Sequence, residues 1–292
     1  MNCRICLVKA FPFFRACTDV LSEPFLDEKL RRVLPELKLD RCPQCGSLWT
    51  SDARRDQKLL LEAYARAPDT YFDDQLTDPR FAAFYQWLES LLCEYTAGRT
   101  ILDVGCGDGA FLKALSSEWF KWGLEPSGSG ANMAAARNLQ INRGTLETCP
   151  EPRRVDVLSA VDVLEHLVDP HAFIESCKQR LSPGGLMLLV TGDANSWTAR
   201  AAGPQWSYLR WCGHISVFSG SALRNLLRAH GFEILTWRRC DHPASPGALA
   251  WWRVRVLEPA RRVLGRTKSW YPFWRDHQAM IAKLSNAEPS GD

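Results

Sequence analysis

Two pairs of cysteines open the chain, Cys3-x-x-Cys6 and Cys42-Pro-Gln-Cys45, with thirty-five residues between them. Four thiolates in two such pairs can enclose a tetrahedral Zn²⁺. The gap is longer than the about fifteen to twenty residues usual for such sites. Cys3, Cys6, Cys42 and Cys45 are therefore the expected ligands of a structural zinc, with two unmetallated pairs as the alternative. Cys17 falls between them and reads as a spare thiol.

A second chemistry-bearing stretch is Ile101-Leu102-Asp103-Val104-Gly105-Cys106-Gly107-Asp108-Gly109. Glycine at every second position lets the chain turn sharply and lets a ligand approach the backbone. The spacing is G-x-G-x-G, not the G-x-G-x-x-G of dinucleotide binders. Asp103 and Asp108 would repel a pyrophosphate but suit an ammonium group. Glu125, at the end of the next apolar run, can accept hydrogen bonds from ribose hydroxyls. A nucleoside that carries an amino acid meets all these demands, and S-adenosylmethionine (SAM) is such a molecule.

Further on, Asp162, Glu165 and His166 stand at i, i+3 and i+4, a spacing that predicts one helical face. Three readings stay open for them. They could form an acidic helix start favoured by the macrodipole, position SAM and substrate, or hold a divalent metal. His214, in WCGHISVF, could remove a proton near neutral pH; a structural histidine tying a loop is the alternative. Trp206, Tyr208 and Trp211 precede it and could wall a substrate cavity.

The elements that must position these residues alternate. ILDV, KWGLE, the short LQINRG, VDVLSAV, LMLLVTG and FEILTWRR read as strands, and GAFLKALSS, ANMAAARNL, HAFIESCKQRL and SALRNLLRAHG as helices. That order predicts a mostly parallel sheet covered on both faces. HQAMIAKL (277–284) reads as a last strand. Helices are also expected in DQKLLLEAYARA and in DPRFAAFYQWLESLLCEYTAG, where Phe81, Phe84, Trp87, Leu88, Leu91 and Leu92 recur at helical spacing and Gly98 is placed to end the run. The domain expectation is a zinc-ribbon-like module at 1–50, a helical connector at 51–98 and a ligand-binding α/β domain at 99–292.

The net charge of +3 over 292 residues selects no partner class. Eleven cysteines, an odd number, do not resemble a secreted disulfide framework. The first residues lack a signal-peptide pattern, and no run approaches ~18 apolar residues. The expectation is a cytoplasmic protein. Residues 241–275 interrupt the alternation. Between Trp251 and Arg275 seven basic residues face one acid, with four Trp interleaved. A lid with a solvated basic face, a peripheral membrane contact and a nucleic-acid contact through phosphates and stacking are the open readings. The mixed charges of LDEKLRRVLPELKLD give no continuous basic face around the cysteines, which argues against nucleic acid.

ILDVGCGDGAFL, GLEPS, GTLETCP, DVLSAVDVLEHLVDP, LSPGGLMLLVTGDANS and HISVFSGSALRNLLRAHGFEIL together resemble the class I SAM-dependent methyltransferases. Within them the chain is similar to the bacterial group related to the ubiquinone-biosynthesis O-methyltransferases. The resemblance covers about residues 99–240. It implies a doubly wound, seven-stranded, Rossmann-like sheet with the small zinc module in front. It also implies that Asp103, Gly105 and Gly107, with Cys106 between them, line the methionine end of SAM. Glu125 would hold the ribose, and Thr145 and Leu146 would flank the adenine, Thr145 standing where many relatives have Asp. Asp162 would be a further cofactor residue, and His166 and His214 catalytic ones. An E-x-x-E-H segment in those relatives is associated with a metal, which implies Asp162, Glu165 and His166 as a divalent site here. Some relatives, sugar C-methyltransferases among them, carry an N-terminal zinc module. The activity implied is methylation, most readily at oxygen, of a sugar, lipid-linked precursor or natural-product intermediate. An RNA or protein methyltransferase and a non-catalytic SAM-binding protein are the alternatives.

Overall fold

The computed structural model describes residues 3, 5–6, 11–16, 37–50, 57–72, 78–149, 154–203, 206–210, 213–243 and 275–285. Cys17, Trp211 and residues 244–274, which include nearly all of the basic, Trp-rich stretch, lie outside them.

Seven strands form the main sheet: β4 (Thr100–Val104), β5 (Phe120–Glu125), β6 (Gln140–Arg143), β7 (Val155–Val161), β8 (Leu181–Gly192), β10 (Phe232–Cys240) and β11 (His277–Leu284). Their order is β10-β11-β8-β7-β4-β5-β6. The five from β8 to β6 pair in parallel, and β11 runs antiparallel between β8 and β10. The chain order therefore reverses at β4, with β5 on one side and β7 on the other. Open α/β sheets bind ligands at the carboxyl ends of the strands beside such a switch point. β4, β7 and the second half of β8 are buried almost throughout, as expected of strands covered on both faces.

The helices have physical starts. α2 (Pro79–Cys93) begins with Asp78 accepting the Arg80 N–H and Pro at its first position, and it buries Phe81, Phe84, Tyr85, Leu88, Leu91 and Leu92. α5 (Pro170–Arg180) repeats the device with Asp169 and Pro170, and α7 (Gly220–Ala229) is capped by Ser219. The remaining helices among the described residues are α1 (Gln57–Tyr64), α3 (Ala110–Ala114), α4 (Gly128–Ala136) and α6 (Trp197–Ala202).

Two local expectations change. α2 stops at Cys93, so Gly98 is not its terminator. A Cβ at Gly98 would stand 2.5 Å from the Asp156 side chain, which accepts the Thr100 N–H and hydroxyl as β4 begins. Gly98 is there for that close approach. The strand expected as LMLLVTG starts earlier: β8 begins at Leu181, and the SPGG segment is an irregularity within it, with Val155 facing Leu181 while Val157 faces Leu186.

A second sheet runs β1 (Phe11–Ala16), β2 (Leu37–Arg41), β3 (Leu48–Thr50) and β9 (Ser216–Val217), all antiparallel. Its last strand comes from the far part of the chain. The Ser219 hydroxyl, besides capping α7, donates to the Cys45 carbonyl, and Cys3, Cys42, Cys45 and Trp49 share one apolar cluster with Leu223 and Leu226. A unit of about fifty residues has little core of its own. Here it borrows a strand and a core face from the α/β part.

Candidate active site

The glycine loop leaves β4 with Gly105, Gly107 and Gly109 at φ 71°, 55° and 77°, a left-handed run that side chains disfavour. Space is tight as well: a Cβ on Gly105 would lie 2.6 Å from Val163. Asp103 is buried below the loop, and its Oδ1 accepts the Ser159 hydroxyl at 2.7 Å. Glu125, at the end of β5, is fully buried and accepts two backbone N–H groups, from Gly107 and Ser127, each at 2.7 Å. Burial pushes both carboxyls up to about 7, against the lowering effect of these hydrogen bonds.

Asp108 is not part of this cradle. Its carboxylate pairs with Arg137 at 2.8 Å and accepts the Ala110 N–H at the start of α3. The pairing of Asp103 with Asp108 expected from the sequence therefore reduces to Asp103 alone. The Cys106 thiol is directed at β5, where a Cβ on Gly123 would meet it at 2.5 Å, so only its backbone faces the loop. Leu146 is buried and Thr145 half-buried in the turn after β6.

A feature missed in the sequence lies over this cradle. α1 and the 3₁₀ turn Asp69–Tyr71 cross it, and Asp69 accepts the Ser129 hydroxyl of α4. The Tyr64 hydroxyl stands 3.5 Å from Glu125 Oε2, and the Phe72 ring lies where Cβ atoms on Gly107 and Gly130 would meet it at 3.4 and 3.0 Å. Tyr64, Tyr71 and Phe72 make an edge-on aromatic group with centroids 5.0–6.3 Å apart. The aromatics of AYARAPDTYF were the available signal.

Beyond β7 the structure divides the expected Asp162–Glu165–His166 trio. A single 3₁₀ turn covers Leu164–His166, and Asp162 precedes it with φ 52°, so no helical face is shared. Asp162 turns to His242 and His277, while Glu165 and His166 gather with His214; within each group the ligand atoms lie within 4.8 Å of one another. A metal held by Asp162, Glu165 and His166 together does not fit this backbone.

The Glu165 group is orderly. Glu165 is fully buried and accepts the Tyr208 hydroxyl at 2.6 Å and the Thr191 hydroxyl at 2.9 Å. Burial, then the charge of Asp162, raise its pKa. His166 Nδ1 lies 3.0 Å from the Gly213 carbonyl and His214 Nδ1 2.6 Å from the Tyr208 carbonyl. Since a carbonyl only accepts, each ring donates from Nδ1, and in His214, where burial disfavours the charged form, this leaves the Nε2 lone pair free. His214 Nε2 is 3.9 Å from Glu165 Oε1. Burial, then the neighbouring His166, drive the His214 pKa well below its ordinary value. Gln57 of α1 ties this turn to the connector by accepting the Val168 N–H at 2.7 Å.

At the front, Cys3 and Cys45 sulfurs are 3.6 Å apart, Cys6 and Cys42 sulfurs 3.4 Å, and all four lie within 4.8 Å. Tetrahedral Zn–S bonds of ~2.3 Å imply sulfurs roughly 3.8 Å apart. The Ile5 and Cys45 N–H groups each point at a sulfur at 3.4 Å, as in a metal knuckle. The hydrogen bond with Cys3 pulls the Cys45 thiol down to about 5. The set fits a tetrahedral metal.

The methyltransferase-domain family matches residues 55–236, more than half of the chain. The chain belongs to the class I SAM-dependent methyltransferases. Among curated relatives of this methyltransferase, the ubiquinone biosynthesis O-methyltransferase of Bradyrhizobium diazoefficiens is 33% identical over 147 residues, which are 47% of this chain and 56% of that one. The match thus spans about half the length of the relative. Two solved structures share the fold. A SAM-dependent methyltransferase from Thermotoga maritima superposes with TM-score 0.52 at 20% identity, over 77% of this chain and 100% of that one. The N-methyltransferase NodS from Bradyrhizobium japonicum, solved with S-adenosyl-L-homocysteine, superposes with TM-score 0.51 at 14% identity, over 79% and 99%. The methyltransferase sheet is the expected seven-stranded, mostly parallel one. Among the described residues no helix is long and apolar enough to cross a membrane.

The cradle fits SAM on its own chemistry. Asp103 offers a carboxylate to an ammonium group, three glycines admit the methionine backbone, and Glu125 Oε1 keeps a lone pair beyond its bond to Ser127, while Oε2 is shared between the Gly107 N–H and the Tyr64 hydroxyl.

Proposed function

We propose that this methyltransferase methylates a hydroxyl oxygen of a small-molecule acceptor, with His214 as the proton acceptor. The observation that carries this reading is the His214–Glu165 pair. A hydroxyl sheds its proton when it is methylated. A neutral imidazole, fixed through Nδ1 on the Tyr208 carbonyl, presents Nε2 at the carboxyl edge of the sheet, with a buried carboxylate 3.9 Å behind it. Tyr208 and Thr191 hold that carboxylate in place, and His166, 4.8 Å from His214 between ring centroids, lines the same wall.

On the cofactor side, Asp103 holds the ammonium, the backbone of Gly105, Cys106 and Gly107 underlies the methionine, Glu125 takes the ribose, and Thr145 and Leu146 flank the adenine. When bound, SAM supplies an electrophilic methyl group on sulfur. Much of the rate then comes from holding the acceptor oxygen in line with it.

A cavity of about 330 Å³ is lined by Arg41, Leu48, Ala194, Arg200, Trp206 and Leu209 among others, and its Trp206 stacks on Tyr208 of this wall. Its size suits a small ligand. Burial, and then the nearby Arg200, lowers the Arg41 pKa, and the two guanidinium groups favour an acceptor that bears a carboxylate or phosphate. Cys3, Cys6, Cys42 and Cys45 hold a structural zinc that fixes the Arg41 side of this cavity.

The test is release of S-adenosylhomocysteine from SAM with panels of hydroxylated acids, sugar phosphates and amines. Turnover with hydroxyl acceptors, lowered in His214→Gln, is the expected result. Turnover confined to amines, or to RNA or protein, would contradict the reading.

A further inference from the structure

β11 starts, and β10 ends, at the carboxyl edge of the parallel strands, because β11 alone runs antiparallel between β8 and β10. This places His277, the first residue of β11, and His242, two residues past β10, beside Asp162 at the end of β7. Three distant segments thus deliver two imidazoles and a carboxylate to one point next to the glycine loop, where Val163, the residue after Asp162, abuts Gly105.

His242 Nε2 is 3.0 Å from Asp162 Oδ2, and His277 Nε2 is 3.7 Å from Asp162 Oδ1. Ligand atoms bonded at ~2.0–2.2 Å to one divalent ion stand roughly 3.0–3.5 Å apart. Asp162 Oδ1 is buried with no hydrogen-bond partner, and the residue adopts φ 52°, a left-handed backbone uncommon outside glycine. The outer shell is built too. His277 Nδ1 is 2.9 Å from Asp276 Oδ1, and Asp276 Oδ2 accepts the Trp206 indole N–H at 3.1 Å. Metal-bound histidines characteristically donate their second N–H to such a carboxylate. Phe81 and Phe84 pack edge-on against His242, and Tyr208 edge-on against His277. The Asp162 side chain remains 29% exposed, which leaves a route for an ion.

We propose that Asp162, His242 and His277 form a divalent-metal site, with Asp276 orienting His277. Two nitrogens and one oxygen suit Zn²⁺, Co²⁺ or Fe²⁺ and leave coordination positions open. The cation binds whether or not the reaction is O-methylation; only its use, to hold the acceptor oxygen beside the cofactor, rests on the reading above.

The experiment titrates Co²⁺ into full-length protein whose cysteine set is already loaded with zinc. Weak d–d absorption from nitrogen and oxygen ligands, saturating at one further Co²⁺ per chain, is expected in the wild type and in His214→Gln. His242→Gln should lose it, and Asp276→Asn should bind roughly 10–100-fold more weakly. SAM titration checks that each variant is folded. Should His242→Gln fail to fold, Asp276→Asn, which keeps all three ligands, decides alone. The proposal is overturned if zinc-loaded wild type shows no such site, if folded His242→Gln retains it, or if Asp276→Asn binds as the wild type does.

Discussion

The cofactor cradle and the acceptor wall share one edge of the sheet but are assembled differently. Asp103, the glycine loop and Glu125 lie within 103–125, on two successive strand-to-helix turns of neighbouring strands. The acceptor wall collects Glu165, Thr191, Tyr208, His214, His242 and His277 from five separate segments. The first is a local device carried by backbone conformation; the second depends on where distant strands end. A local device tolerates changes elsewhere in the chain, whereas a composite wall can change its acceptor by altering any contributor.

Replacing Gly107 strikes the local device hardest. At φ 55°, with the Phe72 ring 3.4 Å from the Cβ position, Gly107→Val should weaken SAM binding roughly 10–100-fold, because a β-branched residue there costs about 1–3 kcal/mol of strain and displaces the loop. Calorimetric titration checks it. On the composite side, Cys42→Ser should remove the metal from the cysteine set, as elemental analysis would show. It should also lower Tm by roughly 2–4 °C for each kcal/mol of binding energy lost.

The same contrast decides what could be read in advance. The glycine loop, Glu125, the strand order and the cysteine pairs each carry a pattern visible in the sequence: the sheet has the expected order, the loop takes the left-handed backbone that glycine allows, and the four sulfurs gather at one point. Asp162, Glu165 and His166 looked like one face because i, i+3, i+4 assumes an α-helix. A left-handed Asp162 followed by one 3₁₀ turn breaks that geometry. His242 and His277 carry no local pattern; they become neighbours only because β11 reverses between β8 and β10. Tyr64 and Phe72 sat in what read as a connector, and only the fold lays them over Glu125.

Three further effects sharpen the comparison. His214→Gln should lower kcat roughly 100-fold, the lower range for losing a general base, while SAM affinity stays unchanged. Equal loss of both would merge the two regions into one. Asp103 and Glu125, each pushed up to about 7, are ionised at pH 8 and mostly protonated at pH 6. SAM affinity should therefore fall roughly tenfold per carboxylate over that range. Their folded pKa values lie above the ordinary ones, so the stability they contribute to the SAM-free protein is present at acid pH and lost as pH rises through about 7. Without SAM the melting temperature should thus fall as pH rises from 6 to 8, whereas with saturating SAM, which keeps both carboxylates ionised, it should change little. Tyr208→Phe removes the donor to Glu165 and the acceptor for the Gly192 N–H, and should cost about 1–3 kcal/mol in denaturant unfolding.

The most direct test of the account is calorimetric titration of SAM into wild type, Glu125→Ala and His214→Gln side by side. One site per chain in the wild type and in His214→Gln, with no detectable binding by folded Glu125→Ala, is the expected result. Wild-type affinity in Glu125→Ala, or loss of SAM binding in His214→Gln, would contradict the division of the site into a cofactor cradle and an acceptor wall.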